Sequence, residues 1–251
     1  MSPSLTRSVA DRLSPNARQR VRRATDGVLA PLGSLRGAHT TDPVIALTYD
    51  DGPEPSGTEP VLAALAAAGV RATFFQLVYR AERHPELVRR VLDEGHEVAL
   101  HGIDHSRLTE LPVPAVARLL ADGKRRLEAV AGMPVRLFRP AYGSQTVRTF
   151  LAARRAGLDV VVWGPTAWDW VDGPAAEVAG RALDGAAPGE IVLLHDAFEI
   201  PPGDATPPPT FDRGEVTRAL LAGLATRGLR PTSVGDLLTD RKPWRTAWYR
   251  P

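Results

Sequence analysis

From Val44 onward, short apolar runs of strand length alternate with longer amphipathic runs of helix length. Strand candidates lie at 44–49, 71–76, 97–100, 135–140, 158–163 and 190–195. Helix candidates lie at 57–69, 85–96, 113–132, 146–156, 175–184 and 215–226. Such alternation is typical of parallel strands joined by crossover helices. The number of repeats favours a barrel over an open sheet, although periodicity alone does not show that a barrel closes.

The composition excludes several other classes of protein. A length of 251 residues with 43% hydrophobic content suits one α/β domain. The absence of cysteine excludes disulfides and thiolate metal sites. No apolar run approaches the roughly 20 residues of a membrane-spanning helix, and residues 1–20 lack the apolar core of a signal peptide. We therefore expect a cytoplasmic protein.

The two ends of the chain differ in composition from the middle. Residues 1–40 carry seven Arg and two Asp, and 13–33 has the spacing of a helix that Ser14 can cap. This basic arm, 1–41, either docks on an anionic membrane surface or packs on the domain, and we favour the second. The tail, 241–251, combines Trp and Tyr with Arg and has the same two alternatives. Because there is no recognition motif and no broad basic excess, we expect no nucleic-acid partner.

Unusual polar clusters follow five of the strand candidates. They are YDDGP at 49–53, HGIDH at 101–105, FRPAYG at 138–143, WGPTAWDW at 163–170 and HD at 195–196. In α/β barrels the C-terminal ends of the strands form the face that carries the active site. We therefore predict that the five clusters meet at one rim of the sheet.

His101 and His105 have the spacing of a metal-binding pair. If the segment turns helically, both imidazoles face one side and can share an ion. One carboxylate from the Asp50 and Asp51 pair completes a His/His/Asp set that suits Zn²⁺, with Co²⁺, Ni²⁺, Mn²⁺ and Fe²⁺ as alternatives. Three protein ligands leave positions open for water and substrate, which is the pattern of a catalytic site. Two surface histidines and a plain acidic turn are the alternative interpretation.

In combination and order, the five clusters resemble the motifs of the polysaccharide deacetylases of carbohydrate esterase family 4, the group with the NodB homology domain. The resemblance covers 42–240, the region between the arm and the tail. It implies an α/β fold, namely an irregular (β/α)7-type barrel with seven rather than eight strands. It also implies a metal-dependent hydrolase that removes an acyl group from an amino sugar.

The resemblance assigns roles to the residues of the first two clusters. Asp50 would be the general base, and Asp51 would be a metal ligand. His101 and His105 would be the other two ligands. The two neighbouring acids would then have different roles: one carboxylate would bind the ion, and the other would accept a proton from the attacking water.

The last three clusters would supply the remaining parts of the site. Arg139 would contact the base and keep it ionised, and the backbone N–H of Tyr142 would help to bind the oxyanion. His195 would be the general acid, and Asp169 would favour its charged form and raise its pKa. Trp170 would form a wall of the substrate pocket.

The chain departs from the family pattern at a few positions. Tyr49 stands where Phe is usual, Ala141 where Pro is common, and Thr166 where the family has an acidic residue. The Pro-rich stretch 196–215 is long for a loop in a compact domain, which is typical of a functional or a disordered segment. Asp196, at its start, either orients its neighbour or caps the loop.

We expect an N-acyl amino-sugar hydrolase, most simply an N-deacetylase. Without a signal peptide, a glycolipid, lipid-linked sugar, glycoside or oligosaccharide is a more plausible substrate than extracellular chitin or peptidoglycan. A deformylase or cyclic-amide hydrolase of the same superfamily and a non-catalytic sugar-binding descendant are the alternatives. Retention of both a base and an acid favours catalysis, because sugar binding requires neither.

Overall fold

The computed structural model describes residues 33–200 and 207–250. Its strands are β1 Ser34–His39, β2 Val44–Asp50, β3 Thr73–Leu77, β4 Glu97–Gly102, β5 Leu137–Phe138, β6 Asp159–Val160, β7 Ile191–His195, β8 Arg230–Thr232 and β9 Lys242–Thr246. Its helices are α1 Pro55–Ala68, α2 Val78–Arg83, α3 Pro85–Asp93, α4 Val113–Ala131, α5 Val147–Arg155, α6 Ala175–Leu183, α7 Arg213–Thr226 and α8 Val234–Leu238. In these two ranges no helix is both long enough and apolar enough to cross a bilayer. The helix predicted over 13–33 lies outside them except for its last residue, Gly33.

Seven strands form one parallel sheet in the order β6-β5-β4-β3-β2-β7, with β8 also paired to β2. The sheet is curled into a half-barrel, and helices connect successive strands. The register places Asp50, at the end of β2, beside Phe75 of β3 and His195 of β7. The predicted α/β fold, an irregular parallel barrel of seven strands, is confirmed.

The central strand β2 is buried on both faces, which explains its uninterrupted apolar sequence. Ile45, Leu47 and Tyr49 face the larger core cluster, between the sheet and the helices, whereas Val44 and Ala46 belong to the second cluster. Full burial of one large aliphatic side chain stabilises a fold by about 2 kcal/mol. This packing fixes the direction in which the residues at the end of β2 leave the sheet.

An antiparallel ribbon of β1 and β9 joins the two ends of the described chain, and the sequence patterns did not predict it. Single bridges tie Leu35 of β1 to Val161, just after β6, and Gly37 to Glu190, just before β7. The ribbon therefore connects the two outer strands of the curled sheet. Part of the predicted arm and part of the predicted tail thus pack on the body, while the division at 41 and 241 stays a prediction.

Two predicted strands are much shorter in the structure. The runs at 135–140 and 158–163 contribute only the two-residue strands β5 and β6. After β6 the chain changes partners, because Val161 pairs with Leu35 of β1 and the N–H of Gly164 donates to the carbonyl of Ile191 in β7 at 2.9 Å. The apolar pattern of 158–163 indicated burial correctly, but it could not indicate which partner the segment would choose.

Candidate active site

All five predicted clusters line one cleft of about 590 Å³ at the C-terminal ends of the strands. Its lining consists of Asp50, Asp51, His101, His105, Arg107, Pro140, Tyr142, Gly143, Trp163, Trp170, Val171, Leu193, His195, Phe198 and Glu199. Seven of the nine predicted site residues are in this lining. The other two, Arg139 and Asp169, are buried behind it and bind residues that do line it.

The backbone bends sharply between the two neighbouring acids. Asp50 is the last residue of β2, and Asp51 has a φ of 78°. A positive φ is uncommon for a residue with a Cβ atom. On a regular strand the two side chains would point to opposite faces. The bend brings both carboxylates to one cleft, where each is almost fully buried.

Asp196 holds this turn from behind. Its carboxylate accepts the N–H of Gly52 at 3.1 Å and the hydroxyl of Thr58 at 2.6 Å. A Cβ atom on Gly52 would approach that carboxylate to 2.1 Å, so the position has room only for glycine. Burial raises the pKa of Asp196 to about 6, although its hydrogen bonds oppose the change. Asp196 therefore positions the turn that carries Asp51.

The two histidines do not lie on a helix, so the helical condition in the sequence argument was wrong. His101 is in β4, and His105 is in the bend that follows it. Gly102 has a φ of 142°, a conformation that glycine adopts without steric penalty. The bend brings the Nε2 atoms of His101 and His105 to 3.2 and 3.4 Å from Asp51 Oδ1.

Asp51, His101 and His105 fit a divalent metal ion. One ligand atom from each residue lies within 4.8 Å of the other two. Asp51 Oδ1 is buried and has no hydrogen-bond partner among the described residues. A buried carboxylate oxygen in that state is unfavourable unless a cation compensates it. Two imidazoles and one carboxylate are ligands that zinc and related transition metals accept.

The protonation states of these residues also suit a metal site. Nδ1 of His101 lies 2.9 Å from the carbonyl oxygen of Arg139, so Nδ1 carries the proton and Nε2 is free to bind an ion. Burial lowers the pKa of His105 to about 4, which keeps this ring neutral at ordinary pH. Burial opposes ionisation of Asp51, but the nearby imidazoles of His101, His195 and His105 outweigh burial and lower its pKa.

Asp50 is bound by a buried arginine. Nη1 of Arg139 donates to Asp50 Oδ1 at 2.6 Å and to the hydroxyl of Thr48 at 2.8 Å. The guanidinium lies 4.1 Å above the Phe75 ring, and the Thr48 hydroxyl donates to the carbonyl of Val192 at 2.6 Å. The Asp50 carboxylate therefore lies beside the candidate metal ligands, and its ion pair with the Arg139 guanidinium fixes its orientation.

Tyr142 has a strained backbone at the edge of the cleft. It lies in the 3-10 turn Ala141–Gly143 with a φ of 58° and a ψ of 7°. Left-handed conformations of residues other than glycine are often found at functional sites. Within the described residues its N–H has no backbone or side-chain acceptor. Its ring lies 4.3 Å from that of His105, so Tyr142 is next to a candidate metal ligand.

His195, at the end of β7, is paired with Asp169. Asp169 accepts Nδ1–H of His195 at 2.7 Å and also its backbone N–H at 2.7 Å. Burial opposes the charged imidazolium, but the Asp169 carboxylate outweighs burial and raises the pKa of His195 to about 9. Arg213 donates to Asp169 at 3.3 Å and to the His195 carbonyl at 2.8 Å. The arrangement holds a protonated imidazole at the cleft.

Aromatic side chains form the wall beside His195. The Trp170 ring meets the His195 ring edge-on, with centroids 5.6 Å apart. Trp168 lies against Trp170 and is 53% exposed, and Trp163 lines the cleft. Thr166, which replaces the family's acidic residue, accepts the N–H of Trp168 at 3.2 Å. It thus stabilises the turn that carries the wall.

The sequence patterns missed two residues that support the site. Thr48 lies two positions before Asp50, and the strand period of two places both on one face, so this signal could have found it. Arg213 is 44 residues from Asp169 in the chain. Nothing in the sequence links the two, because their contact depends on where α7 packs. The roles of the nine predicted site residues stay predictions.

The sequence comparisons all find deacetylases that act on amino-sugar polymers. The sequence model of a family described as polysaccharide deacetylase matches residues 37–161. The peptidoglycan-N-acetylglucosamine deacetylase of Bacillus cereus is 33% identical over 203 residues, which cover 78% of this chain and 88% of that protein. The peptidoglycan-N-acetylmuramic acid deacetylase PdaC of Bacillus subtilis is 35% identical over 168 residues, or 66% of this chain. The match spans only 35% of the length of PdaC.

A solved structure shows the same fold. The crystal structure of the Bc1960 peptidoglycan N-acetylglucosamine deacetylase superposes with a TM-score of 0.75. The match covers 88% of this chain and 98% of that chain, at 24% sequence identity. At that identity the likeness concerns the fold, and the chemistry of the cleft has to be argued from its own residues.

Proposed function

The chain belongs to the polysaccharide deacetylase family, hydrolases of carbon–nitrogen bonds, and we propose that it removes an N-acyl group, most simply acetyl, from an amino sugar with the help of one divalent metal ion. Zn²⁺ is the ion we propose, with Co²⁺, Ni²⁺, Mn²⁺ and Fe²⁺ as alternatives. The substrate we propose is an N-acetylated sugar in an oligosaccharide, glycan, glycoside or lipid-linked form.

One observation carries the proposal. The cleft that contains Asp51, His101 and His105 also contains a carboxylate and an imidazole with opposite charge partners. Asp50 is paired with Arg139, and His195 is paired with Asp169. A sugar-binding site needs neither pair, whereas amide hydrolysis needs both a base and an acid.

An amide resists hydrolysis because its carbonyl is a poor electrophile and its neutral nitrogen is a poor leaving group. Asp51, His101 and His105 would hold the ion, which supplies Lewis acidity when bound. Asp50, oriented by its ion pair with Arg139, accepts the proton of the attacking water. The N–H of Tyr142 donates to the oxygen on which negative charge develops.

The acid side of the cleft completes the reaction. His195 is protonated at neutral pH because Asp169 raises its pKa. It donates its Nε2 proton to the sugar nitrogen as the bond to the acyl carbon breaks. Trp170 and its neighbours form an apolar wall on which a sugar ring can lie.

Metal analysis and a substrate screen test the proposal together. The protein is purified, its metal content is measured, and the apoprotein is reloaded with each candidate ion. Free, nucleotide-linked and lipid-linked N-acetyl and N-formyl sugars are then assayed for released amine and acid. We expect amine release from N-acetyl sugars that disappears with a chelator and returns with the ion.

The alternatives make different predictions in the same experiment. Release of formate but not acetate would identify a deformylase, and ring opening of a cyclic amide would identify that class. A non-catalytic sugar-binding protein would bind sugars without releasing amine from any of them, with or without metal. The expected cytoplasmic location stays a prediction. The alternative that the arm contacts a membrane is also untested, because 1–32 lies outside the described residues.

A further inference from the structure

We propose that the rim of the cleft carries a subsite for an anionic group, a carboxylate or a phosphate on the amino sugar or on the unit next to it, bound by Arg107. The inference rests on the proposed function, because it names the kind of N-acylated sugar that the cleft prefers. It concerns a residue that the predicted catalytic set does not include.

Arg107 is part of the cleft wall, close to the candidate metal ligands. It lines the cleft together with Asp51, His105 and Tyr142. Its guanidinium carbon lies 3.9 Å above the centre of the Tyr142 ring. The same ring lies 4.3 Å from the ring of His105. The Tyr142 ring, tilted by 51° to the His105 ring, therefore lies between a candidate metal ligand and a cation at the rim of the cleft.

The charge of Arg107 is unmatched, in contrast to the other arginines around the cleft. Arg139 and Arg213 are bound to the carboxylates of the catalytic pairs. Arg80 binds Glu54 and Glu199 at 2.7 and 2.8 Å. In the two described ranges Arg107 makes no ion pair, and its recorded contact is the Tyr142 ring.

Two carboxylates of the same region, Glu199 and Asp104, have other partners. Glu199 also lines the cleft, but it binds Arg80 and the hydroxyl of Tyr79. Asp104 accepts the N–H of Ser106 at 3.1 Å. Within the described residues no carboxylate forms an ion pair with Arg107, so its N–H groups are available to an anion from outside.

The chemistry of the guanidinium selects the class of ligand. A guanidinium that lies over an aromatic ring still has N–H groups that are free to donate. Two parallel N–H donors match the two oxygens of a carboxylate or a phosphate. Because stacking on Tyr142 already orients the side chain, little further side-chain entropy is lost when the anion binds. An uncharged sugar has no group that uses this fork.

Three disaccharides test the subsite. They are N,N′-diacetylchitobiose, the same disaccharide with a lactyl ether carboxylate at O3, and the same disaccharide as its 1-phosphate. kcat/KM for amine release by the metal-loaded, full-length protein is measured with each. We expect kcat/KM for one or both anionic substrates to be about tenfold or more above that for the neutral one. A charge-assisted, bidentate contact is worth at least that factor. The preference should weaken as salt is added.

Substitutions at Arg107 and a matched control show which residue causes the preference. Arg107→Gln should remove the advantage of the anionic substrates, and Arg107→Lys should keep part of it because the charge remains without the fork. Arg118→Gln removes another exposed arginine, on the outer helix α4, and should preserve the preference. If Arg107→Gln lowers kcat/KM by the same factor for all three substrates, the subsite does not exist. The same conclusion follows if the wild type has no preference for the anionic substrates.

Binding measurements separate this inference from the proposed function. The deacetylated neutral and anionic disaccharides are titrated calorimetrically into the wild-type and Arg107→Gln proteins. Binding of the anionic compounds that depends on Arg107, without any turnover, would support the subsite and contradict the proposed hydrolase. Turnover of the substrates with no effect of Arg107 on the binding of the anionic compounds would support the proposed hydrolase and contradict the subsite. A preference for only the carboxylate or only the phosphate identifies the source of the charge.

Discussion

The two sides of the cleft stabilise opposite charges. On the base side, the Asp50 carboxylate is paired with Arg139, and both are almost completely buried. On the acid side, the His195 imidazole is paired with buried Asp169 but remains 15% exposed. The base side comes from the ends of β2 and β5, two strands in the interior of the sheet. The acid side comes from an outer strand, a long loop and the first residue of α7.

This difference indicates how each side can vary. The base side is held by sheet register and core packing, so its geometry cannot change without disturbing the fold. The acid side depends on the segment from Trp163 to Trp170 and on Arg213, which are joined to β7 by a few hydrogen bonds. Substrate preference can therefore change on the acid side while the metal ligands and the base remain in place.

The largest effect should come from separating the roles of the two neighbouring acids. Asp50→Asn should retain metal but lower kcat by about a thousandfold, because loss of a general base has effects of this order. Asp51→Asn should lose metal affinity and activity together. Metal content per protein and amine release measure the two properties independently. Near-normal turnover by Asp50→Asn would show that the base is another residue.

A smaller effect is expected on the acid side from Asp169→Asn. The variant should lower kcat about a hundredfold and move the alkaline limb of the pH profile down by at least one pH unit. The reason is that Asp169 raises the pKa of His195 to about 9, and only the protonated ring donates a proton. The pH dependence of kcat, measured from pH 5 to 10, checks the shift. An unchanged alkaline limb would mean that it does not report His195.

The same pair should also affect stability in chelator-treated protein. The folded pKa of His195, about 9, lies above its ordinary value of 6.5. The pairing therefore stabilises the fold fully below pH 6.5, and this contribution is lost as the pH rises through 9. The difference in unfolding free energy between wild type and Asp169→Asn should shrink over that interval. A difference that grows with pH would contradict the assigned charge states.

Arg213→Gln should lower activity by about tenfold, since it removes a positioning contact to Asp169 and leaves the reacting groups in place. The effect should fall on kcat more than on KM, and the alkaline limb should move less than in Asp169→Asn. Arg218→Gln, on the same helix but 54% exposed, is the matched control and should be neutral. Equal losses in both variants would indicate damage to α7 and not to the acid pair.

The smallest effect should come from the ribbon that ties the outer strands together. Arg245 of β9 binds both carboxylate oxygens of Asp159, at 2.8 and 2.5 Å. Arg245→Met should lower the free energy of unfolding by about 1 kcal/mol, because the pair is partly exposed. Denaturant unfolding measures this, with Arg245→Lys as the intermediate control. Stability equal to wild type would show that the ribbon does not depend on this pair.

Most of the fold could be predicted from local patterns of apolar residues in the sequence. Apolar periodicity indicated the buried strands and their helices, because burial on two faces requires uniform apolar strands. It failed for β1 and β9, since each is short and pairs with a strand about two hundred residues away. It overestimated β5 and β6 because periodicity reports burial but not the partner that a segment chooses.

The sequence by itself determined that polar clusters end five of the six predicted strands, and parallel strands necessarily bring such ends to one face. Only the tertiary structure decided how the groups of the site are positioned relative to one another. The left-handed bend at Asp51, held by Asp196, turns two adjacent acids into one site. The packing of α7 places Arg213 on the acid pair. Such contacts join residues far apart in the chain, and their geometry depends on packing that no local pattern encodes.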